Sequence, residues 1–233
     1  MEPVSQRILT IDIGGSHIKA TILNEKGEPQ MDYEREDTPQ PPTPENIIGG
    51  IKELIKPLGE FDKISAGFPG YVKNGVIKTA PNLDNESWKD FDLAGELAKE
   101  LGKPAQVVND ADLQGLGVCS GKGLEMVVTL GTGFGTALLL DGKLLPHLEL
   151  SHHPISKGRD YDQYIGELAL KEEGKEKWNE RMQKVLKVIK IVVNYDRLFI
   201  SGGNAKKLDF PLDENITIVS NKDGIKGGAR LWA

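Results

Sequence analysis

Ile8-Leu-Thr-Ile-Asp-Ile-Gly-Gly-Ser-His-Ile-Lys-Ala-Thr-Ile-Leu23 is the stretch that decides how the rest of the chain is read. Ile8 to Ile13 and Ile18 to Leu23 are apolar and rich in β-branched residues, and Gly14-Gly15-Ser16 sits between them as a hairpin turn signal. The two glycines leave backbone N–H groups uncovered by any Cβ, and Ser16 adds a hydroxyl, so the turn is small and polar enough for a phosphate to approach. Asp12 ends the first strand as a lone carboxylate in an apolar run. Burying it is costly unless it is paired or holds a cation. An ordinary hairpin with a solvated aspartate is the plainer alternative. Met126-Val-Val-Thr-Leu-Gly-Thr-Gly-Phe-Gly-Thr-Ala-Leu-Leu-Leu140 repeats the grammar, with Gly131, Thr132 and Gly133 in its turn. Two such hairpins, each opening a mixed strand–helix segment, suggest a duplicated architecture with two phosphate-facing loops.

The chain has 233 residues, 38% hydrophobic and 27% charged, with a net charge of −6. This length suits one large or two small domains. The acidic balance argues against a broad nucleic-acid surface. No apolar run reaches the roughly 18 residues of a membrane span. The polar start, Met-Glu-Pro-Val-Ser-Gln-Arg, leads straight into the first strand, so no signal peptide is expected. A lone cysteine, Cys119, allows neither an internal disulfide nor a zinc knuckle. A cytoplasmic location is the simplest expectation.

Between the hairpins, the pattern predicts a strand around Met31 to Glu36. A helix follows that is capped at Thr43-Pro44-Glu45, with Ile47, Ile48, Ile51, Leu54 and Ile55 on one face. Lys63 to Phe68 reads as a strand, Tyr71 to Ile77 as a hairpin and Thr79 to Trp88 as a polar loop. Leu93, Leu97 and Leu101 mark a helix ending at Gly102. Ala105 to Val108 is a strand that delivers Asn109-Asp110 to a helix over Ala111 to Val118. Later, Tyr161 to Lys171 and Trp178 to Asn194 read as helices. A strand at Arg197 to Ile200 leads into Ser201-Gly-Gly-Asn204, Ile216 to Ser220 is a last strand, and a short helix after Asn221 closes the chain.

The chemistry narrows by exclusion. No Gly-Lys-Ser/Thr P-loop occurs, Gly131-Thr-Gly-Phe-Gly135 has the wrong spacing for a dinucleotide fingerprint, and His-Glu-x-x-His is absent. Glu149, His152 and His153 lack a convincing third metal ligand. Phosphoryl transfer at the two loops remains, and it needs phosphate neutralisation, Mg²⁺ and a base beside the attacking hydroxyl. Asp110 is the best base, at the end of a strand. Helix capping is the competing account of Asn109-Asp110, since both residues cap well.

Together these motifs resemble the ROK family of sugar kinases. Asp12-Ile-Gly-Gly-Ser is similar to its first phosphate motif and Leu130-Gly-Thr-Gly-Phe-Gly to its second. Ala80-Pro-Asn-Leu, Trp88 and Val108-Asn-Asp-Ala resemble its sugar loop and catalytic segment. Glu149-Leu-Ser-His152 resembles its Glu-x-Gly-His motif, with Ser151 in place of glycine. Ser201-Gly-Gly-Asn resembles the motif near the donor's base. The resemblance implies an α/β, two-lobed, actin-like (ribonuclease H-like) ATPase fold, with a duplicated mixed-sheet domain and a cleft between lobes. One lobe would span 1–109 with 222–233 packing back on it, and the other 110–221. It implies Asp110 as catalytic base, and Asn82, Asn109, Glu149 and His152 as sugar contacts. Gly14, Gly15, Ser16, Lys19, Gly131, Thr132 and Gly133 would lie at the phosphates, and Gly202, Gly203 and Asn204 near the nucleotide. Asp12 would serve Mg²⁺ through phosphate.

The zinc-binding cysteine cluster of many members, and its final glutamate, are missing from Ile155 to Asp162, so no zinc is expected. That absence, the short chain and Pro146-x-x-Glu-Leu-x-His152 after Asp141-Gly142 look like the polyphosphate glucokinase branch. The expected partners are glucose or a related hexose, with polyphosphate or ATP as donor. No nucleic acid and no membrane are expected, and a homodimer is common in the family. Lys19, Lys73, Lys78, Lys206 and Lys207 are candidates for a local phosphate track, although solvated surface lysines are the commoner explanation. Kinases of another hexose or of an N-acetylhexosamine, and a non-catalytic sugar-binding relative, stay open. A repressor of the same family is disfavoured, because only seven residues precede the first strand and a helix-turn-helix has no room.

Overall fold

The opening hairpin forms as its pattern dictates. In the computed structural model of the chain, β1 (Ile8–Ile13) pairs antiparallel with β2 (His17–Leu23), from Ile8 opposite Leu23 to Ile13 opposite Ile18. The structure describes residues 6–233, and the first five residues of the stretch read above as leaderless lie outside it. β3 (Glu34–Asp37) extends the hairpin. It starts later than the sequence suggests, because the Thr21 hydroxyl donates to the Met31 carbonyl and takes that residue out of the ladder, 2.9 Å away.

α1 (Pro44–Leu54) starts where Thr43 Oγ1 accepts the Asn46 N–H and Pro44 occupies the first turn, and it buries Ile47, Ile48, Ile51 and Leu54. β4 (Lys63–Phe68) then lies parallel to β1. β5 (Val72–Lys73) and β6 (Val76–Ile77) form a small ribbon that turns at Asn74-Gly75. The stretch read as a loop up to Trp88 instead ends in a short helix, α2 (Asn85–Trp88). Trp88 is fully buried against Phe68 and Phe91, and its indole N–H donates to the Pro42 carbonyl at 2.8 Å. Burying the largest side chain of the loop pulls that end of it into a turn of helix.

α3 (Leu93–Leu101) is capped by Asp92 and stopped by Gly102 in the left-handed region, φ 68°. β7 (Ala105–Asn109) runs parallel to β4, and α4 (Asp110–Val118) follows without a loop. The first sheet therefore has the order β3-β2-β1-β4-β7.

The second sheet repeats that order. β8 (Leu124–Leu130) and β9 (Phe134–Leu140) are the hairpin, with β10 (Lys143–Leu144) beside β9. β11 (Pro154–Ser156) and β12 (Arg159–Asp160) make a separate ribbon. The two helices expected over Tyr161 to Lys171 and Trp178 to Asn194 do part between those bounds, at Gly174, and the first is divided once more, into α5 (Tyr161–Ile165) and the start of α6 (Glu167–Val193). Gly166 ends α5 because the next amide, of Glu167, turns onto the Thr132 carbonyl at 3.1 Å. α6 is two helices joined across Gly174, whose φ of 81° is outside helical space. β13 (Arg197–Ser201) is parallel to β8, and β14 (Ile216–Ile218) is parallel to β13. The order is β10-β9-β8-β13-β14, strand for strand the pattern of the first sheet.

The chain divides into two units, one running to Gly117 with Lys222–Ala233 added, the other Val118–Asn221. The closing segment is two short helices, α7 (Asn221–Gly224) and α8 (Gly227–Arg230), where one was expected. α8 joins the first unit. The Ser65 hydroxyl donates to the Gly228 carbonyl at 2.6 Å, and a Cβ on Gly228 would stand 2.1 Å from Thr10 Oγ1. Each unit has its own core. One is built on Ile11, Ile47, Phe68 and Trp88, the other on Met126, Phe134, Trp178 and Ile200. Among the described residues, no helix is long and apolar enough to cross a membrane.

Candidate active site

In the first unit, the Gly14-Gly15-Ser16 turn is held from outside the hairpin. Thr38 Oγ1 donates to the Gly14 carbonyl at 2.6 Å, and the Thr38 N–H to the Ser16 carbonyl at 2.9 Å. Gly15 and Ser16 are exposed at the tip. A Cβ on Gly15 would lie 3.3 Å from the carbonyl oxygen of Asn82, so the turn and the Ala80-Pro-Asn-Leu loop touch. Asp12 and Lys19 face each other across the hairpin as an ion pair of 3.4 Å, with side chains 28% and 38% exposed. A lone, reachable carboxylate beside a phosphate-sized turn suits Mg²⁺, which typically takes one or two carboxylates and completes its shell with phosphate oxygens and water. Among the described residues, no three of His, Cys, Asp and Glu gather as a metal cluster.

Asp110 occupies the corner where β7 passes into α4. Its Oδ1 accepts the Ala111 N–H at 2.8 Å, and the residue is half-buried. The corner approaches β4 closely, since a Cβ on Gly67 would stand 3.2 Å from the Asp110 Cα. Asn109 fixes the corner. Its Oδ1 accepts from the Ala111 N–H at 2.8 Å and its Nδ2 donates to the Gly70 carbonyl at 3.0 Å, all buried. Asn109 thus caps α4, and Asp110 takes its direction from that cap.

The second unit builds its turn the same way with different tools. The Gly131 N–H donates to the Gly133 carbonyl at 3.1 Å. Asn204 grips the turn twice, its N–H on the Leu130 carbonyl at 3.0 Å and its Nδ2 on the Gly131 carbonyl at 3.2 Å. Asp162 accepts the Phe134 N–H at 2.6 Å from beneath, so close that a Cβ on Gly133 would lie 2.7 Å from its Oδ1. Burial pushes the Asp162 carboxyl up, against the Phe134 hydrogen bond and the nearby His152, which draw it down. Thr132 is exposed at the tip. Beside Asn204, Gly202, Gly203, Lys206 and Ile218 line a cavity of about 240 Å³.

The Glu149-Leu-Ser-His152 segment adjoins this turn through Thr136, whose hydroxyl donates to the Leu148 carbonyl at 3.0 Å. Glu149 Oε1 lies 3.1 Å from Nε2 of the buried His147 ring. That hydrogen bond holds the carboxyl below its ordinary value, although burial opposes it. Ser151, the departure from the glycine of the resembled motif, donates its hydroxyl to Glu149 Oε2 at 3.1 Å. The substitution is absorbed as one more support for the carboxylate. His152 is 56% exposed, its Nδ1 3.8 Å from Asp160.

Sequence reasoning named the tips of both turns and missed what holds them. Thr38 and Asp162 act through contacts 24 and 28 residues away that no local spacing announces, while His147 and Ser151 support Glu149 from two residues away on either side. The five lysines considered as a phosphate track do not behave alike. Lys19 pairs with Asp12 and Lys78 with Asp90 at 2.7 Å.

The ROK family model matches residues 8–147. The polyphosphate glucokinase of Mycobacterium tuberculosis (strain CDC 1551 / Oshkosh) is 33% identical over 237 residues, covering 94% of this chain and 88% of the relative. The crystal structure of an inorganic polyphosphate/ATP-glucomannokinase from Arthrobacter sp. strain KM superposes with a TM-score of 0.86 at 30% identity, covering 97% of this chain and 98% of that one. A ROK family glucokinase from Streptomyces griseus, in complex with glucose and AMPPNP, shares the fold at a TM-score of 0.78 and 18% identity, over 97% of this chain and 98% of its own. The twofold sheet pattern, the paired glycine turns and these likenesses agree: the chain belongs to the ROK family, with the two-lobed actin-like fold of its sugar kinases.

Proposed function

We propose that this chain is a glucokinase that moves a phosphoryl group from inorganic polyphosphate, or from ATP, to the 6-hydroxyl of glucose, with Asp110 as general base. The observation that carries the reading is the contact of Gly15 with Asn82, which sets a phosphate-sized turn against the loop assigned to the sugar. The 33% identity to a polyphosphate glucokinase, across 94% of the chain, supports the choice of sugar and donor.

The residues divide the work. Asp110 accepts the proton of the attacking hydroxyl, and Asn109 keeps its carboxylate aimed by capping α4. The N–H groups of Gly15 and Gly133, with the hydroxyls of Ser16 and Thr132, bind donor phosphate oxygens, Gly14 and Gly131 shape the two turns through their own N–H bonds to the His17 and Gly133 carbonyls, and Lys19 adds charge. Gly202, Gly203 and Asn204 take the nucleotide when ATP is the donor. Asp12 would hold Mg²⁺ together with the donor, and the ion, when bound, neutralises phosphate charge. Asn82, Glu149 and His152 orient the sugar, because each hydroxyl needs a directed polar partner. Asn109 has one amide hydrogen left for the same task, since Oδ1 and the other hydrogen serve the backbone.

The test is a coupled assay for glucose 6-phosphate with purified protein, glucose and each donor, with mannose in the sugar panel because the similar structure is a glucomannokinase. Turnover with glucose is expected. Asp110→Asn should lower kcat by about 10²–10⁴-fold and leave glucose affinity nearly intact. Absence of product from both donors would overturn the reading, and so would full activity in Asp110→Asn.

A further inference from the structure

The second unit carries a cavity of about 520 Å³ that no step above uses. It is lined by five basic side chains against two acidic ones, in a chain whose net charge is −6. Lys177, Arg181 and Lys184 project from α6 at spacings of four and three residues, one face of the helix and about 10 Å of its length. Lys157 and Arg159 face them from the turn and second strand of the β11–β12 ribbon.

The site is built. Arg181 is nine-tenths buried, its guanidinium over the Tyr164 ring at 4.8 Å and donating to the Tyr164 carbonyl at 3.2 Å. Lys184 also lies over that ring, 5.4 Å from its centre. Glu173 sits at the floor and pairs with Arg159, Lys177 and Arg181. Its partners come from both walls, Arg159 from β12 and Lys177 and Arg181 from α6 beyond the break at Gly174. Glu173 and Glu180 offset two of the five positive charges and leave three. β12 also ties the cavity to the proposed site, because Arg159 reaches Glu173 while its neighbour Asp160 faces His152.

Rows of cations on two walls, with an aromatic ring between, match a ligand whose negative charge repeats along its length. A single carboxylate or one phosphate would engage only one end of the row. We propose that this cavity is an accessory binding site for a condensed phosphate chain, gripping phosphates remote from the one that is transferred. The inference rests on polyphosphate being a donor, and it assigns the protein a reason to favour long chains over short ones. Arginine and lysine binding of phosphate oxygens is charge-assisted and weakens with salt.

The test uses Lys157→Glu/Lys184→Glu, two exposed lysines outside the transfer machinery, with Lys157→Arg/Lys184→Arg as the charge-conserving control. Initial rates are measured with long-chain polyphosphate, tripolyphosphate and ATP, and retention of labelled long-chain polyphosphate is measured without sugar. The glutamate variant should show a KM for the long chain raised about tenfold, as expected for reversing two surface charges, with KM for tripolyphosphate and ATP unchanged. Its retention of polyphosphate should fall, and the arginine variant should behave as the unaltered protein. An unchanged long-chain KM would overturn the proposal, and so would an equal rise for ATP. If the unaltered protein transfers nothing from polyphosphate, the donor assignment has failed. Retention then decides the cavity separately: loss of polyphosphate binding in the glutamate variant supports the site, and equal binding refutes it.

Discussion

Replacing Asp162 by alanine and by asparagine separates what its charge does from what its oxygen does. The side chain receives the Phe134 N–H at 2.6 Å and stands under the Gly131-Thr132-Gly133 turn. Asp162→Asn keeps an acceptor of the same size, and Asp162→Ala removes it. An amide left without its acceptor in a buried position costs about 1–3 kcal/mol. Divided by about 1.4 kcal/mol per decade, a loss of that size falling on the turn predicts roughly a 5- to 150-fold lower kcat/KM for the phosphoryl donor in Asp162→Ala. Asp162→Asn should stay within a few-fold of the unaltered enzyme. The charge has a signature of its own. Burial raises the Asp162 carboxyl above its ordinary value, so ionised Asp162 disfavours the folded state at neutral pH. Stability linked to such a group is present below the unfolded pKa, about 3.9, and is lost as pH rises through the folded one. Asp162→Asn should therefore melt at or above the unaltered protein at pH 7, and that advantage should shrink as the pH falls toward 4. Donor kinetics and thermal melts at pH 7 and pH 4.5 check both limbs. Equal kinetics for the alanine and asparagine variants would refute the role given to the oxygen. An asparagine advantage that grows in acid would refute the role given to burial.

Gly202→Ala should destabilise the second unit. Its φ is 94° and a Cβ would stand 2.2 Å from the Leu130 carbonyl oxygen, so strain of about 1–3 kcal/mol is a lower bound and melting should fall by at least about 2–4 °C. Glu149→Gln should lose its stability difference from the unaltered protein in acid. The His147 hydrogen bond lowers the Glu149 carboxyl, so its contribution is present above the unfolded pKa, about 4.3, and is lost as pH falls through the folded one. Melts across pH 7 to 3 read this directly, and a gap that widens in acid would count against it. Glu173, lowered to about 2 by Lys177 and then Arg181, has the same sign over a wider window. Glu173→Gln should be less stable than the unaltered protein at pH 7, with the gap closing between about pH 4.3 and pH 2 in denaturation followed by circular dichroism.

What the sequence disclosed and what it withheld follow from the range of the forces involved. Both hairpins were legible because their cause is local: β-branched runs around glycines that only a turn explains, and the identical strand orders follow from that repetition. The α1 cap at Thr43-Pro44 and the Gly102 stop were legible for the same reason. The parting of two helices between Lys171 and Trp178 was legible too, but what sets it at Gly174 was not. Here a left-handed φ is rewarded by a contact outside the local pattern, Glu173 against Arg181 and Arg159. Asn109 shows the limit most sharply. Asn109-Asp110 fitted capping and a catalytic corner equally, the resemblance alone made Asn109 a sugar contact, and only the Gly70 carbonyl, 39 residues away, shows its amide at work on the backbone. Each exposed turn tip is gripped by a residue distant in sequence, Thr38 for the first and Asn204 and Asp162 for the second. The first grip is a hydroxyl. The second includes a half-buried carboxylate, which must be held against its own desolvation. Two turns that read alike thus differ in how firmly they are anchored and in how that anchoring responds to acid, so the second turn is the one whose hold on a donor should change with pH.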